Sequence, residues 1–124
     1  NFISCKLEKG SEGLYIQITD DIVLTIPEEK KAALFNNVNK TIILGIRPEH
    51  ISENKQKHSL KINAKLNIVE PLGMETMVYF SINNSQVCGK VLPNQSIQNG
   101  KTITLYFDSL KFYFIDPETD LVLS

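Results

Sequence analysis

Hydrophobic and polar residues alternate with a period of two along most of this chain. The clearest run covers residues 60–68, in which the even positions are Leu, Ile, Ala, Leu and Ile and the odd positions are Lys or Asn. Successive side chains of a strand point to opposite faces of a sheet, so this alternation predicts a half-buried β-strand. The same pattern predicts further strands at residues 15–19, 22–26, 41–46, 76–82, 86–91, 102–107, 110–115 and 121–123.

Turn-forming residues separate these runs, with an Asp pair at residues 20–21 and an Asn pair at residues 83–84. Residues 27–35 predict a short helix instead, because Pro and two Glu begin the segment and Asn residues follow it. Many short strands separated by turns favour a sandwich or a small barrel over a parallel sheet. The predicted fold class is all-β with one short helix.

Length and composition indicate one domain that buries a core of its own. The chain has 124 residues, of which 42% are hydrophobic. We expect one domain over residues 1–124, softly divided into intertwined parts 1–52 and 59–124 by the polar residues between them. The longest apolar stretches are strand-sized, so no transmembrane segment is predicted. A first residue other than Met is typical of a fragment of a longer protein.

The net charge of the chain argues against nucleic acid as a partner. A net charge of −1 gives no broad cationic field, so nucleic acid is not an expected partner. Cys5 and Cys88 are far apart and have no CxxC neighbour, so we expect two reduced thiols that pack as small apolar residues.

Motifs that carry catalysis are missing from the sequence. The six glycines are scattered, no P-loop opens among them, and no serine lies in a GxSxG pattern. His58 lies in a polar segment and is expected to be solvated. Glu70, Glu75, Asp108 and Asp116 fall at strand ends or turns, where a solvated carboxylate is ordinary. We therefore expect no enzyme activity, metal site or cofactor in this chain.

Residues 47–50 (RPEH) form the most distinctive tetrapeptide. The proline would end the preceding strand, and Arg47 and Glu49 are expected to supply charged hydrogen bonds at its exit. His50 has no nearby His or Cys with which to bind a metal. An acid–base pair of Glu49 and His50 is a weaker alternative.

The link at residues 70–75 joins two predicted strands. Pro71 fixes φ and Gly73 permits a tight reversal. A loop held this stiffly would present Leu72, Met74 and Glu75 in a fixed pose that suits contact with a partner.

Five aromatic residues fall in what the pattern predicts to be one hairpin. OB-type barrels stack nucleobases on such rings inside a basic groove, but the neighbouring charges here are not basic overall. Core and interface packing is therefore expected for Tyr106, Phe107, Phe112, Tyr113 and Phe114.

Three ordered motifs resemble the C-terminal regulatory region of MalK-like ATPases. Residues 45–51 (GIRPEHI) resemble its G-[IVL]-R-P-E-x-[IL] signature, and residues 69–76 (VEPLGMET) resemble its V-E-x-L-G-x-E-T turn. Residues 105–108 (LYFD) and 112–119 (FYFIDPET) resemble its ending, L-x-F-D followed by L-H-[LF]-F-D-x-x-T-G. The opening residues 1–3 (NFI) are similar to the join that follows the family's ATPase domain.

Two positions depart from this pattern. Tyr113 stands where the family usually has His, which puts in doubt any specific contact made through that His. Asp120 stands where the family has Gly. It predicts a different last turn, because Asp tolerates positive φ less readily than Gly.

The resemblance implies a pair of OB-like (TOBE) units in the ATPase subunit of an ABC importer for sugars or sugar phosphates. In that family the ATPase subunits dimerise at the cytoplasmic face of the bacterial membrane, where they serve permease subunits. Their regulatory domains touch one another, and some members also receive a regulatory protein there. ATP and Mg²⁺ would belong to the ATPase domain, which this chain lacks.

The same resemblance implies a domain that works by association, without direct insertion into the membrane. Arg47 and Glu49 would lock the crossover between its two halves. The partner's regulatory domain would be contacted at or near Leu72, Gly73, Met74 and Glu75, with His50 and Tyr113 as further interaction candidates.

The alternative is a small-ligand module that senses a sugar or an oxyanion in a cleft. A lone arginine and the lack of a glycine-rich anion nest weigh against it.

Overall fold

A computed structural model describes residues 1–124, which divide into two units. The first, here the hairpin unit, comprises Asn1 and residues 46–112. The second, the helix unit, comprises residues 2–45 and 113–124. The chain thus leaves the helix unit after its first third and returns to it at the end. The polar segment 52–59, which suggested a soft boundary, lies inside the hairpin unit.

The helix unit is built on one five-stranded antiparallel sheet with the order β11-β4-β1-β2-β3. A single α-helix and a turn of 3₁₀-helix at residues 35–37 follow the third strand. The strands and helix are β1 (Phe2–Gly10), β2 (Gly13–Thr19), β3 (Ile22–Thr25), α1 (Glu28–Leu34), β4 (Thr41–Gly45) and β11 (Tyr113–Ile115).

The sequence of α1 explains its bounds. Pro27 precedes the helix with a non-helical ψ, and Glu28 and Glu29 occupy the first turn, where the helix dipole favours negative charge. Leu34 is fully buried at the other end. The predicted short helix is therefore confirmed. Neither in length nor in hydrophobicity does any helix of this structure suffice to span a bilayer.

The hairpin unit contains two three-stranded antiparallel sheets, with the orders β5-β10-β6 and β7-β8-β9. Their inner faces carry alternate buried residues, as in Val78 and Phe80 on the middle strand of the second sheet. The strands are β5 (Ile51–Ser52), β6 (Ser59–Lys65), β7 (Ile68–Pro71), β8 (Thr76–Ile82), β9 (Ser85–Val91) and β10 (Thr102–Asp108).

The alternating run at residues 60–68 is divided between these two sheets. The Leu66 amide donates to the Lys101 carbonyl at 2.8 Å, beside β10, whereas the next amide, of Asn67, donates to the Tyr79 carbonyl at 2.8 Å, in β8. The predicted single strand is therefore wrong at its end. The buried series also ends there, because Leu66 is buried whereas Ile68, the first residue of β7, is 52% exposed.

The predicted aromatic hairpin does not form. Residues 109–111 make one turn of 3₁₀-helix, β11 joins the sheet of the helix unit, and residues 121–123 contribute only an isolated bridge. In the hairpin unit the Phe107 ring packs edge-on against Phe80 at 6.2 Å and Phe112 at 6.4 Å. Phe114 is buried in the helix unit. The core role predicted for these phenylalanines is nonetheless confirmed, and the fold class is all-β with one short helix.

The last turn contains a residue with a positive φ. Asp120 has a φ of 59°, the left-handed conformation that glycine adopts easily, and its amide donates to the Asp116 carbonyl at 2.8 Å. Asp is one of the few residues besides glycine that visit this region, so Asp at this position is compatible with a positive φ.

Candidate functional site

The RPEH segment is a turn whose charged side chains face solvent. Residues 48–50 form one turn of 3₁₀-helix, closed by the His50 amide donating to the Arg47 carbonyl at 3.0 Å. Arg47 and Glu49 are exposed, and neither joins an ion pair. The charged hydrogen bonds expected at the strand's exit are therefore absent, and the backbone alone makes the turn.

The glycine just before this turn has a packing role. Gly45 lies directly opposite Tyr113 in the pairing of β4 with β11. A Cβ atom at Gly45 would lie 2.3 Å from two ring carbons of Tyr113, so the ring rests on the glycine backbone. Tyr113, an interaction candidate from the sequence, is thus a half-buried cover for a bare strand position.

The isoleucine that ends the same segment packs against a second glycine. Ile51 is fully buried, and a Cβ atom at Gly89 would lie 2.8 Å from its Cγ2 and 3.2 Å from its carbonyl oxygen. Only glycine lets β9 approach the start of β5 this closely. No pattern in the sequence predicted a role for Gly89.

The β7–β8 hairpin presents its side chains differently. The Leu72 amide donates to the Glu75 carbonyl at 2.8 Å, which closes a two-residue turn at Gly73 and Met74. Gly73 has a φ of 90°, a backbone conformation that favours glycine. Leu72 is 53% exposed and Met74 is 92% exposed. The predicted turn is therefore present, and its apolar side chains face solvent.

The exposed apolar surface continues beyond the turn onto one face of the sheet β7-β8-β9, here called the outer face. Alternation puts Met77 and Tyr79 on this face of β8, and Tyr79 pairs with Ile68 on one side and Cys88 on the other. Ile68 is 52% exposed, whereas Met77, Tyr79 and Cys88 are half-buried.

The outer face is not predicted by the buried members of each alternating run, which indicate only the core side of a strand. The opposite members at residues 77 and 79 are Met and Tyr, where the solvent side of residues 60–68 has Lys and Asn. That difference in polarity was the available signal. Both methionines of the chain lie on this hairpin, and flexible thioethers adapt to varied contacts.

One ion pair crosses the outer face. The Lys90 Nζ lies 3.8 Å from Glu75 Oε1, and both side chains are partly exposed. Together with Glu53 and Leu92 they line an open depression of about 200 Å³. Two carboxylates against one ammonium do not suit an oxyanion, which needs a surplus of cationic or N–H groups.

The cysteines are in environments that keep their thiols protonated. Burial raises the pKa of Cys5 to about 12. Burial also raises the pKa of Cys88. The pKa of Tyr79 is raised mainly by its electrostatic interaction with Cys88, its neighbour across the strands. Both cysteines are free, in line with the expectation of reduced, packing thiols.

Asn1 acts on the free edge of the same sheet. Its Nδ2 donates to the Cys88 carbonyl at 2.8 Å, its Oδ1 accepts from the Cys88 amide at 2.9 Å, and its carbonyl accepts from the Ile46 amide at 3.1 Å. The side-chain amide therefore pairs with β9 as one residue of a neighbouring strand would.

Comparison with known families matches the chain in two overlapping parts. The family described as the MalK OB fold domain matches residues 1–51, and the family described as the TOBE domain matches residues 44–113.

Individual relatives agree with this assignment. The oligosaccharides import ATP-binding protein MsmX of Bacillus subtilis is 35% identical over 127 residues, covering 98% of this chain and 33% of that protein. An uncharacterized ABC transporter ATP-binding protein, YcjV of Escherichia coli O157:H7, is 34% identical over 108 residues, covering 86% and 30%. The multiple sugar-binding transport ATP-binding protein MsmK of Streptococcus mutans is 28% identical over 131 residues, covering 99% and 33%.

The chain spans only about a third of the length of these curated relatives. Within that third, the two family matches together run from residue 1 to residue 113, across both units. The chain therefore belongs to the family of MalK-type OB-fold and TOBE domains.

Proposed function

We propose that this chain is the non-catalytic regulatory and dimerisation part of the ATPase subunit of an ABC importer for sugars or sugar phosphates. Two relatives are named for the import of oligosaccharides and of multiple sugars, and the chain matches about a third of each. In such a subunit ATP and Mg²⁺ are bound outside the matched part. The subunit lies at the cytoplasmic face of the membrane, where it serves permease subunits.

The exposed apolar hairpin carries this proposal. Leu72, Met74 and Leu92 are 53%, 92% and 72% exposed on one unit of a small domain. Leu72 and Met74 lie at the turn, and Leu92 follows β9, whose last residue pairs with the first residue of β8. Exposed apolar side chains grouped in this way are typical of a surface that contacts another protein. The surface is small, and contacts that bury less than about 1,200 Å² in total are usually transient. We therefore propose weak self-association through this hairpin.

Arg47, Glu49 and His50 remain interaction candidates on a different basis. The exposed, unpaired charges of Arg47 and Glu49 are free to pair with a regulatory protein or another subunit. His50, which is half-buried, would serve as a neighbouring hydrogen-bonding group rather than as a metal ligand.

Sedimentation equilibrium at rising concentration tests the dimerisation role. The wild-type chain is expected to show a monomer–dimer equilibrium in the high micromolar to millimolar range. Leu72→Asp combined with Met74→Asp should abolish it, because two carboxylates would have to be desolvated at the contact. Leu110→Asp is the control for an exposed leucine outside the hairpin, to be compared with Leu72→Asp alone, since Leu110 is 58% exposed in the same unit and lies on the 3₁₀ turn after β10.

Circular dichroism should show that all of these variants stay folded, because the replaced side chains are exposed. A wild-type chain that stays strictly monomeric at millimolar concentration would contradict the dimerisation role. So would a control variant that loses association as fully as the hairpin variant.

A further inference from the structure

We propose that Asn99 and Gly100 form a site of spontaneous deamidation, at which the folded chain holds both reacting groups in hydrogen bonds and the reaction follows opening of their loop. Asn99 is the only asparagine of the chain that a glycine follows. Glycine lacks a Cβ atom, so its backbone nitrogen approaches the preceding side chain with little steric hindrance. Both residues are exposed, and a Cβ atom on Gly100 would meet no residue beyond its chain neighbours within 4 Å, so water has access to this peptide.

The reaction consumes water and needs no other reagent. The Gly100 backbone nitrogen loses its proton to solvent and attacks Cγ of Asn99. A C–N bond forms, the bond from Cγ to Nδ2 breaks, and Nδ2 takes a proton from solvent and leaves as ammonia. Water then opens the cyclic imide. Cleavage of the new C–N bond leaves an aspartate in a normal backbone, whereas cleavage of the original peptide bond leaves an isoaspartyl link that runs through the former side chain.

In the folded chain both reacting groups are held by residues 66–69. The Gly100 amide donates to the Leu66 carbonyl at 2.7 Å, and Oδ1 of Asn99 accepts from the Val69 amide at 2.8 Å. The first bond keeps the proton on the attacking nitrogen, and the second directs the side-chain amide towards another segment. Attack requires the two groups to meet in a reactive geometry, so both hydrogen bonds must first be released.

The same hydrogen bonds hold the chain where it passes from β6 to β7. The Lys101 carbonyl accepts from the Leu66 amide at 2.8 Å, and Asn99 satisfies the Val69 amide on the free edge of β7. An isoaspartyl link adds one carbon to the backbone and shortens the side chain by one carbon. It would therefore lose the hydrogen bond to Val69, whereas the aspartyl product would keep an oxygen in the same place.

The loop that carries the site is held by few buried contacts. Between β9 and β10 only Ile97 is buried, at 6% exposure, and its amide donates to the Asn94 carbonyl at 3.1 Å. A segment with few buried apolar contacts opens at a lower free energy than that of global unfolding. Deamidation at Asn99 should therefore follow local opening of this loop, and loss of the Ile97 side chain should accelerate it.

Incubation at mildly alkaline pH, folded and in guanidinium chloride, tests the site. Peptide mass spectrometry detects the gain of one dalton at each asparagine, and chromatography separates isoaspartyl from aspartyl products. In denaturant Asn99 should react faster than any other asparagine. In the folded chain it should react at least ~10-fold more slowly, in proportion to the fraction of molecules whose loop is open. Asn99→Gln should remove the signal, because the longer side chain cyclises poorly.

Two matched substitutions distinguish loop opening from global unfolding. Ile97→Ala should accelerate deamidation of the folded chain at least ~10-fold, since it removes the buried anchor of the loop. Ile51→Ala removes the same side chain from a fully buried position beside Phe107, at the other end of β10, and should leave the rate unchanged. Unfolding in denaturant checks that each variant is folded before its rate is compared.

The modified chains give a second readout that does not depend on these variants. Amide hydrogen exchange at Val69 should be faster in the isoaspartyl product than in the unmodified chain, because the acceptor is lost. Asn99→Asp, which copies the aspartyl product, should keep this protection.

Three results would overturn the proposal. A chain that does not react at Asn99 in denaturant has no such site. A folded chain that reacts as fast as the unfolded one is not protected by its hydrogen bonds. Equal acceleration by Ile97→Ala and Ile51→Ala would assign the reaction to global unfolding instead of to opening of this loop.

Discussion

Two turns of this molecule resemble the same family at the sequence level but expose opposite kinds of residue. In the segment 45–51, Gly45 and Ile51 are buried by packing while Arg47 and Glu49 face solvent without partners. In the segment 70–76 a backbone hydrogen bond from Leu72 to Glu75 also closes the turn, but the apolar side chains of the turn are the exposed ones.

This contrast in burial shows that a distinctive motif can serve either internal packing or an exposed surface. The first segment is constrained by what must fit inside, namely a tyrosine ring over Gly45 and an isoleucine against Gly89. The second encloses nothing, since no atom lies within 4 Å of a Cβ placed on Gly73. Mutations should therefore affect stability in the first segment and association in the second.

The largest expected effect is at Ile51. Ile51→Ala should lower the free energy of unfolding by about 2–5 kcal/mol, because it removes a fully buried side chain and leaves a cavity. Leu72→Ala, the matched change in the other turn, should lower it by less than about 0.5 kcal/mol. Urea unfolding followed by circular dichroism measures both. Comparable losses at the two positions would show that the hairpin is part of the core.

The next effect is at Gly89. Gly89→Ala should cost about 1–3 kcal/mol, because the new methyl group meets both a side-chain atom and the backbone oxygen of Ile51. The same change should cost less in an Ile51→Ala background, where the nearer contact is gone. A double-mutant cycle in urea measures this coupling. Additive losses would mean that Gly89 is constrained by something other than Ile51.

The smallest effects are expected for the charges of the first turn. Arg47→Ala and Glu49→Ala should each change the free energy of unfolding by no more than about 0.5 kcal/mol, because neither side chain has a partner to lose. Thermal unfolding of each variant beside the wild type measures this. A loss above about 1 kcal/mol would show that the charges do hold the turn.

Local patterns predicted the strands whose neighbours are close in sequence. β8 and β9 were readable because each has one buried face and a two-Asn turn joins them, with φ values of 51° and 63°. β1 was missed although Ile3, Cys5 and Leu7 are all buried, since no turn signal precedes it.

Strand pairings between segments that are far apart in sequence cannot be predicted from local patterns. The residues after Phe107 continue an aromatic pattern, but Phe112 packs in one unit and Tyr113 begins a strand beside Gly45 in the other. Nothing in the residues themselves indicates that change of sheet. The same limit applies to the candidate site. The turn at Gly73 is formed by neighbouring residues and could be predicted from the sequence. The contact of Lys90 with Glu75 depends on the register of β8 with β9 and could not.

The side chain of Asn1 has a consequence for how this protein avoids unwanted assembly. An open sheet edge is a template on which a foreign strand can add, and β9 would be such an edge at Cys88. The asparagine amide occupies both hydrogen-bonding groups there, as a covalently tethered competitor that an incoming strand must first displace. At this one position of β9 the asparagine therefore blocks strand addition, which other proteins prevent with a lysine, a proline or a bulge.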